Sequence, residues 1–196
     1  MGTYRLSTPI SIDEVAKLRV GDTLYISGVV ISARDAAHRR MLEIGPPVDL
    51  RGGVIYHAGP VVRRVGNKWE VLSMGPTTSA RMEAFQAEVI EKFGVRLVVG
   101  KGGMGKKTAE AMKKHIAAYA IFTGGAGVLA AKAIKRVVDV HWLDLGVAEA
   151  VWVLEVENFG PLTVMIDSTG RNFYEEAREE ARRRVPEILR TFKWSH

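Results

Sequence analysis

Val98 to Thr108, with the sequence VVGKGGMGKKT, joins an apolar run to a loop rich in glycine and lysine, and then to a helical pattern. The apolar run from Arg96 to Val99 is typical of a buried strand, and the residues after Thr108 are good helix formers. Glycine lets backbone N–H groups approach a ligand closely, and a helix N-terminus presents unpaired donors with a partial positive charge. Strand, loop and helix together therefore predict an anion site.

The loop matches most of a nucleotide phosphate-binding motif. Gly100, Gly105 and Lys106 occupy the positions that the Walker A pattern G-x-x-x-x-G-K-[ST] requires. Lys107 stands where a Ser or Thr hydroxyl should bind Mg²⁺, and Thr108 comes one residue later, about 100° further around a helix. The incomplete pattern favours a different anion, although a stand-alone anion- or nucleotide-binding module stays as one alternative function.

Composition is that of an ordinary globular protein and excludes several kinds of site. The 196 residues include 47% hydrophobic and 26% charged residues, with a net charge of +6 and no cysteine. Without cysteine the chain forms no disulfide and cannot by itself hold an iron–sulfur cluster or a Cys-type zinc ion. Lys and Arg are not interleaved with aromatic residues, so the positive charge favours anionic small molecules or an acidic partner over nucleic acid.

The sequence also sets expectations for compartment and domain organisation. The N-terminus lacks the apolar segment of a signal peptide, and no run of about 18 apolar residues would span a bilayer. We therefore expect a cytoplasmic protein that makes no membrane contact. The length fits a single domain over residues 1–196, without internal repeats or low-complexity segments.

The expected secondary structure changes character along the chain. Short strand-like segments separated by Gly and Pro dominate the first half, and the second half alternates strands with helices. Residues 150–156 and 162–167 are expected to pair as two strands across a turn at 158–161. A final helix is expected to begin at Asn172 and to kink or break at Pro186.

A junction between strand and helix carries the first candidate ligand-binding cation. Arg34 follows a strand expected over residues 23–31, and Asp35 is expected to cap the next helix. His38 lies about one turn into that helix, on the same side as Arg34. A hydrogen-bonded structural role for His38 is favoured over a catalytic one.

A second junction combines hydroxyl groups with an arginine. Met82, Phe85, Val89 and Phe93 recur at helical spacing and predict a helix. Thr77, Thr78 or Ser79 would cap its N-terminus. Capping explains one of the three hydroxyls. It does not explain Arg81, whose charge would oppose the helix dipole in the first turn.

Three junctions thus each supply a cation, at Arg34, Arg81 and Lys101. Two guanidinium groups and one ammonium exceed what a monoanion needs and match a small dicarboxylate. Arginine binds a carboxylate through two hydrogen bonds, and lysine adds a point charge. Spacing alone does not show whether the three side chains converge.

Four motifs, in chain order, resemble those of the β subunit, or C-terminal half, of class I fumarate hydratases and the related tartrate dehydratases. They are RDAAH at residues 34–38, YHAGP at 56–60, GPTTSARM at 75–82 and GKGGM at 100–104. The resemblance extends from Thr8 to Arg190. It departs at residues 158–161, where the family has a shorter turn of the Asp-Phe-Pro type.

This resemblance implies a hydro-lyase subunit that reversibly hydrates fumarate to L-malate. The implied partner is a cysteine-containing α subunit, in an α2β2 hetero-oligomer, whose three cysteines hold a [4Fe-4S] cluster that acts as a Lewis acid; this chain would bind no cofactor alone. By motif position, Thr77 would be the catalytic base, and Arg34, Arg81 and Lys101 would bind the substrate carboxylates. The implied fold is α/β, a three-layer swivelling β/β/α domain with a mixed sheet.

Other functions stay open at this point. The β subunit of L-tartrate dehydratase fits the same motifs, because fumarate and tartrate are both four-carbon dicarboxylates. The loop at residues 100–108 would serve the stand-alone binding module, and a purely structural regulatory subunit would follow if the site residues do not converge. Thr77 also needs a basic neighbour to act as a base, and our hypothesis is a carboxylate of the partner subunit.

Overall fold

Nine strands and six α-helices occupy the part of the chain that the computed structural model describes, residues 1–191. The strands are β1 Thr3–Ser7, β2 Thr23–Ser32, β3 Val54–Tyr56, β4 Val61–Val65, β5 Lys68–Ser73, β6 Leu97–Gly100, β7 Ala118–Ile121, β8 Ile134–His141 and β9 Val151–Ile166. The helices are α1 Ile12–Lys17, α2 Asp35–Ile44, α3 Glu83–Phe93, α4 Lys106–His115, α5 Gly127–Ala133 and α6 Phe173–Thr191. Short 3₁₀ turns cover Ser79–Met82 and Leu143–Leu145.

Within residues 1–191, five strands form a closed ring. β2, β3, β6 and β7 lie side by side and parallel, and the long strand β9 runs antiparallel to both β2 and β7. β1 extends the sheet beside β2, and β8 lies beside β9. β4 and β5 form a separate hairpin. This mixed sheet with its helices confirms the predicted α/β class.

Alternate side chains of the parallel strands enter two different cores. On β6, Leu97 and Val99 face the ring interior, where they join buried residues of β9, whereas Val98 faces α2, α3 and α4. On β7, Ala120 faces the interior and Tyr119 the helices. This period of two is what a strand buried on both faces requires. The resulting order of antiparallel strands, parallel strands and helices agrees with the expected three layers.

The strand pair expected over residues 150–156 and 162–167 is a single strand, β9, so that prediction is wrong. Asn158 has a φ of 51°, and the register against β2 shifts on either side of this region, so the strand bulges instead of turning back. A Cβ on Gly160 would lie 2.5 Å from the carbonyl oxygen of Leu24, so glycine here permits close pairing with β2. The bulged strand reaches β8 with its first half and β7 with its second.

Two helix ends also differ from expectation. α2 begins at Asp35, and its N-cap position is taken by Arg34 without a side-chain cap, so Asp35 is not the cap. α6 continues through Pro186 to Thr191, so of the two predicted outcomes, a kink or a break, the break does not occur. Proline removes the hydrogen bond to the carbonyl four residues earlier, at Arg182. That residue is exposed, and water can bind the freed carbonyl.

Candidate active site

The carboxyl ends of the four parallel strands lie at one edge of the sheet, and the loops that carry the predicted site residues meet there. Arg34 follows β2 and Lys101 follows β6. The backbone N–H of Thr77 donates to the carbonyl of His57, just after β3, at 2.7 Å. The carboxyl edge of parallel strands is where α/β proteins gather ligand-binding loops. Residues far apart in sequence are neighbours here for that reason.

Backbone hydrogen bonds fasten the Thr77 loop to the Lys101 loop. The Lys101 N–H donates to the Thr77 carbonyl at 3.3 Å, and the Ser79 N–H donates to the Lys101 carbonyl at 3.0 Å. Thr78 and Lys101 thereby form a short parallel bridge. Thr77 and Lys101 are both partly exposed, so a ligand at this edge can contact both side chains.

The two arginines are each paired with a carboxylate. Arg34 Nη2 lies 3.0 Å from Glu149 Oε1, and Arg81 Nη2 lies 3.5 Å from Asp35 Oδ2. The side chain of Arg34 is 20% exposed and that of Arg81 is 53% exposed, so Arg34 is the more enclosed. Within residues 1–191, no group accepts a hydrogen bond from the buried Nε of Arg34. This donor suits a carboxylate oxygen of a ligand.

The carboxyl group of Glu149 is a weaker acid than usual. Partial burial raises the pKa of Glu149, and the nearby Asp35 carboxylate adds to that rise, while the Ala36 N–H and Arg34 oppose it. The Ala36 N–H donates to Glu149 Oε2 at 3.1 Å. Two carboxylates thus pair with the two arginines, whereas Lys101 forms no ion pair within residues 1–191. The resulting excess of positive charge favours an anionic ligand.

The glycine loop does bind an anion, but the anion is the side chain of Glu83. Its carboxylate accepts from the Gly105 N–H at 2.7 Å, the Thr108 N–H at 3.3 Å and the Thr108 hydroxyl at 2.8 Å. The N-terminus of α4 is therefore capped from within the protein. These donors are therefore not available to a nucleotide phosphate. The Thr108 hydroxyl, one residue beyond the Walker A position, donates to Glu83.

The hydroxyls expected to cap α3 do not cap it, so that prediction is wrong. Met82 occupies the N-cap position of α3 and Thr78 that of the preceding 3₁₀ turn, in both cases without a side-chain hydrogen bond to the turn. Ser79 is buried, and its Oγ lies 2.9 Å from Nδ1 of His57. Arg81 lies in the 3₁₀ turn, ahead of the α-helix, so it does not occupy the first turn of α3.

A buried polar layer beneath the site was missed from the sequence. His38 is fully buried; its Nδ1 donates to the Arg34 carbonyl at 2.8 Å, and its Nε2 lies 3.0 Å from Gln86 Oε1. His38 therefore has the structural role favoured above. The sequence did contain one sign of this layer: Gln86 is a polar residue between Met82 and Val89 on the apolar stripe of α3.

Neither metal ligands nor a membrane-spanning segment is found in the described residues. Across residues 1–191, no cluster of three or more His, Asp or Glu side chains could hold a metal ion. No helix in the same range is long and apolar enough to cross a membrane. The full sequence has no cysteine, so this chain does not offer the ligands of an iron–sulfur cluster.

Comparison with known proteins gives consistent matches over nearly the whole chain. The family model described as Fumarase C-terminus matches residues 3–177. The L(+)-tartrate dehydratase subunit beta of Escherichia coli (strain K12) is 48% identical over 184 residues, 92% of each chain. A Methanocaldococcus jannaschii protein provisionally given the same name is 42% identical over 182 residues, 90% of this chain and 93% of its own. A Geobacillus stearothermophilus protein provisionally named fumarate hydratase class I is 42% identical over 172 residues, 87% of this chain and 33% of its own.

Proposed function

Because this chain belongs to the fumarase C-terminus family, we propose that it is the β subunit of a hetero-oligomeric hydro-lyase for a four-carbon dicarboxylate. The observation that carries the proposal is the convergence of three loops at the carboxyl edge of the parallel strands. These loops bring Arg34, Thr77, Arg81 and Lys101 to one edge of the sheet. A site with three cations and one hydroxyl suits a dianion that exchanges a proton.

The arginines and the lysine have a direct role in this proposal. Arg34, Arg81 and Lys101 bind the two substrate carboxylates, and the free Nε of Arg34 supplies one of the hydrogen bonds. Removal of a proton beside a carboxylate increases the negative charge on that group. Cations placed there stabilise the transition state more than the ground state, and this difference is what accelerates the reaction.

Thr77 is the proposed base that takes the proton from the substrate carbon. Its hydroxyl must first lose its own proton, and an alcohol needs a basic neighbour to do so. Within residues 1–191, no side chain forms a hydrogen bond with the Thr77 hydroxyl. We therefore assign the activating group to a carboxylate of the partner subunit, and the four residues of this chain form one half of the site.

The [4Fe-4S] cluster expected from the family resemblance finds no ligands in this chain. We propose that it is held by cysteines of an α subunit. The name of the Escherichia coli relative, a subunit beta, supports a partner of this kind. The α2β2 stoichiometry stays a prediction that the mass of the isolated complex would test.

L-tartrate and fumarate are the two candidate substrates. The Escherichia coli relative matches over 92% of its length and is named for tartrate, which makes L-tartrate the first candidate. Fumarate is the second, because the Geobacillus stearothermophilus relative is named for fumarate hydratase. Both are four-carbon dicarboxylates, so both need the same set of cations.

The first experiment isolates a tagged copy of this chain with its partner from its own cytosol under anaerobic conditions. The complex is assayed for dehydration of L-tartrate and for hydration of fumarate, beside the isolated chain. We expect turnover of one substrate by the complex and none by the chain alone. An intact, iron-loaded complex that turns over neither substrate would contradict the proposal.

A pair of neighbouring threonines provides the matched test of Thr77. Thr77→Val is expected to abolish turnover while the complex still assembles, because the reacting hydroxyl is lost. Thr78→Val makes the same chemical change one residue later, at an exposed position whose hydroxyl caps no helix, and should leave turnover close to wild type. Equal activity in the two variants would remove Thr77 from the mechanism.

A further inference from the structure

Five buried polar side chains form a continuous hydrogen-bonded chain beneath the candidate site. His38, Gln86, His57, Ser79 and Tyr119 each have 0% exposure. The carboxamide oxygen of Gln86 lies 3.0 Å from His38 Nε2 and 2.7 Å from His57 Nε2. Gln86 is therefore the central member, and one imidazole lies on each side of it. We call these five residues the buried polar chain.

One end of the buried polar chain is bonded to the backbone of the Arg34 junction. His38 Nδ1 donates to the Arg34 carbonyl at 2.8 Å, and the His38 N–H donates to the same carbonyl at 2.9 Å. The orientation of the residue that carries the guanidinium group is thus set by His38. Gln86 reaches this junction through a single imidazole ring.

The other end is bonded to the two loops that carry Thr77 and Lys101. Ser79 Oγ lies 2.9 Å from His57 Nδ1 and 2.9 Å from the Tyr119 hydroxyl, which donates to the Gly102 carbonyl at 2.8 Å. The backbone of His57 accepts from Thr77, and that of Ser79 donates to Lys101. A side chain on Gly100 would overlap Ser79 Oγ, so the chain is closely packed against the loop.

Two neutral imidazoles determine what Gln86 must supply. Burial lowers the pKa of both His38 and His57, whose rings are 5.2 Å apart. Neutral His38 uses its N–H, on Nδ1, to donate to Arg34, so its Nε2 accepts. The Gln86 NH2 group has no partner within residues 1–191, and a half-turn of the carboxamide lets its two hydrogens serve both Nε2 atoms. A hydrocarbon or an ionised carboxylate cannot do this.

The stability of the fold does not by itself require five buried polar side chains beneath the candidate site. Burying a polar group destabilises a protein unless the group is hydrogen-bonded, and replacing both partners of a buried hydrogen bond by apolar groups of the same shape can be nearly neutral or stabilising. The five residues come from α2, the segment after β3, the 3₁₀ turn Ser79–Met82, α3 and β7. Their shared property is that they link elements bearing site residues. A satisfied buried network of this kind fixes one arrangement of the groups bonded to it.

We propose that Gln86 is a positioning residue, which fixes the distance between the Arg34 junction and the joined Thr77 and Lys101 loops through one imidazole on each side. The kinetic part of this inference rests on the proposed function, because it assumes that these loops bind a dicarboxylate. Gln86 itself is buried and touches no substrate. It acts through the backbones that carry the reacting side chains.

Gln86→Met is the informative variant, since methionine keeps the length and volume of glutamine but removes its hydrogen bonds. A displacement of about 1 Å in the positioning of reacting groups can cost about a hundredfold in rate. We expect Gln86→Met to lower kcat/KM of the complex by about tenfold or more, with a rise in KM for the dicarboxylate. The complex should still assemble.

Val89→Ala is the matched control on the same helix. Val89 is fully buried on α3 and belongs to the apolar core, outside the buried polar chain. Its truncation should lower the melting temperature, because it leaves a cavity in the core. It should leave kcat and KM within about twofold of wild type, because the loops of the folded molecules stay in place. The inference is overturned if Gln86→Met keeps wild-type kinetics, or if both variants lose activity in proportion to their loss of stability.

A readout without activity separates this inference from the proposed function. Amide hydrogen exchange on the full chain reports the opening of the segments at 34–38 and 100–103. We expect Gln86→Met to speed exchange in both segments together, and Val89→Ala to leave their relative protection unchanged. If the wild-type complex acts on no dicarboxylate, the proposed function fails, while unchanged exchange in Gln86→Met would overturn the positioning role.

Discussion

At the scale of single residues, two of the three candidate cations are paired with protein carboxylates. Glu149 pairs with Arg34 and Asp35 with Arg81. Under the proposed function, a substrate carboxylate shares or replaces these partners. Burial raises the pKa of Glu149, and a neutral Glu149 attracts the Arg34 guanidinium less than a carboxylate does.

The variant Glu149→Gln tests the raised pKa of Glu149 by its effect on how stability depends on pH. The pKa of Glu149 is raised above 4.5 by burial. A carboxyl group with a raised folded pKa stabilises the fold below its unfolded pKa and loses that contribution as the pH rises through the folded value. The wild type should therefore lose stability relative to Glu149→Gln as the pH increases above about 4.5. Melting curves from pH 4 to pH 8 measure the difference, and a constant difference would contradict the expectation.

Gly59 permits the segment before Glu149 to approach the site. A Cβ at Gly59 would overlap the carbonyl oxygen of Ala148 and lie 2.9 Å from its Cα. We expect Gly59→Ala to destabilise the chain by about 1–3 kcal/mol, because backbone must shift to admit the methyl group. At Gly75 the nearest atom to a new Cβ is 3.7 Å away, so Gly75→Ala should cost much less. Urea denaturation of the two variants gives the comparison, and equal losses would contradict it.

At the scale of elements, α3 and α4 are joined by one carboxylate. Glu83, the first residue of α3, binds the backbone at the N-terminus of α4. The helix following the Lys101 loop is therefore held in place by the helix following the Thr77 loop. Glu83 therefore connects the Thr77 and Lys101 segments, in addition to the hydrogen bonds of the buried polar chain.

Replacement of Glu83 should weaken this connection. Glu83→Ala removes the acceptor for Gly105 and Thr108, and we expect a loss of about 1–3 kcal/mol, as for a helix cap with a charged hydrogen bond. Glu83→Gln keeps one carbonyl acceptor and should lose less. Chemical denaturation in urea measures both, and wild-type stability in Glu83→Ala would show that the cap has no energetic role.

At the scale of the whole molecule, α6 extends beyond the folded body. Its first turn is anchored, since Asn172 donates to the Met104 carbonyl at 3.0 Å, and a Cβ on Gly103 would lie 2.8 Å from the Tyr174 ring. From residue 178 to residue 190 all side chains are exposed. The match to the family model ends at residue 177, near the same place.

Truncation separates the anchored turn from the rest of α6. A chain ending at residue 177 should melt within about 3 °C of the full chain, because less than about 1 kcal/mol of packing is removed. A chain ending at residue 171 also loses Asn172 and Tyr174, and should melt markedly lower. Differential scanning calorimetry distinguishes the two, and an equally large drop in both would contradict the assignment of the anchor.

Local patterns and the family resemblance were enough to propose candidate site residues, but not to predict the contacts around them. Arg34, Thr77, Arg81 and Lys101 stand in recognisable motifs, and parallel strands explain why their loops meet. Their roles stay predictions. The contact of Glu83 with Gly105 joins separate segments, and nothing in either segment alone signals it.

The error at β9 has a related physical origin. Asn158 and Gly160 suit a tight turn and a strand bulge equally well, because both need backbone conformations that other residues avoid. Pairing with β2, more than a hundred residues earlier, decides between the two. Such long-range pairing is invisible to a pattern read along one segment. The missed Gln86 differs, since a polar residue on an apolar stripe was there to be noticed.

The closed ring also governs when the site can form during synthesis. Thr23 pairs with Thr163, so the strand that precedes Arg34 is closed by β9, which is made more than a hundred residues later. Before β9 emerges, the interior faces of β2 and β7 are open and Glu149 has no fixed place beside Arg34. Contacts this distant in sequence close slowly. The candidate site of the nascent chain therefore cannot form before residue 166 has been made, and it forms together with the core that β9 completes.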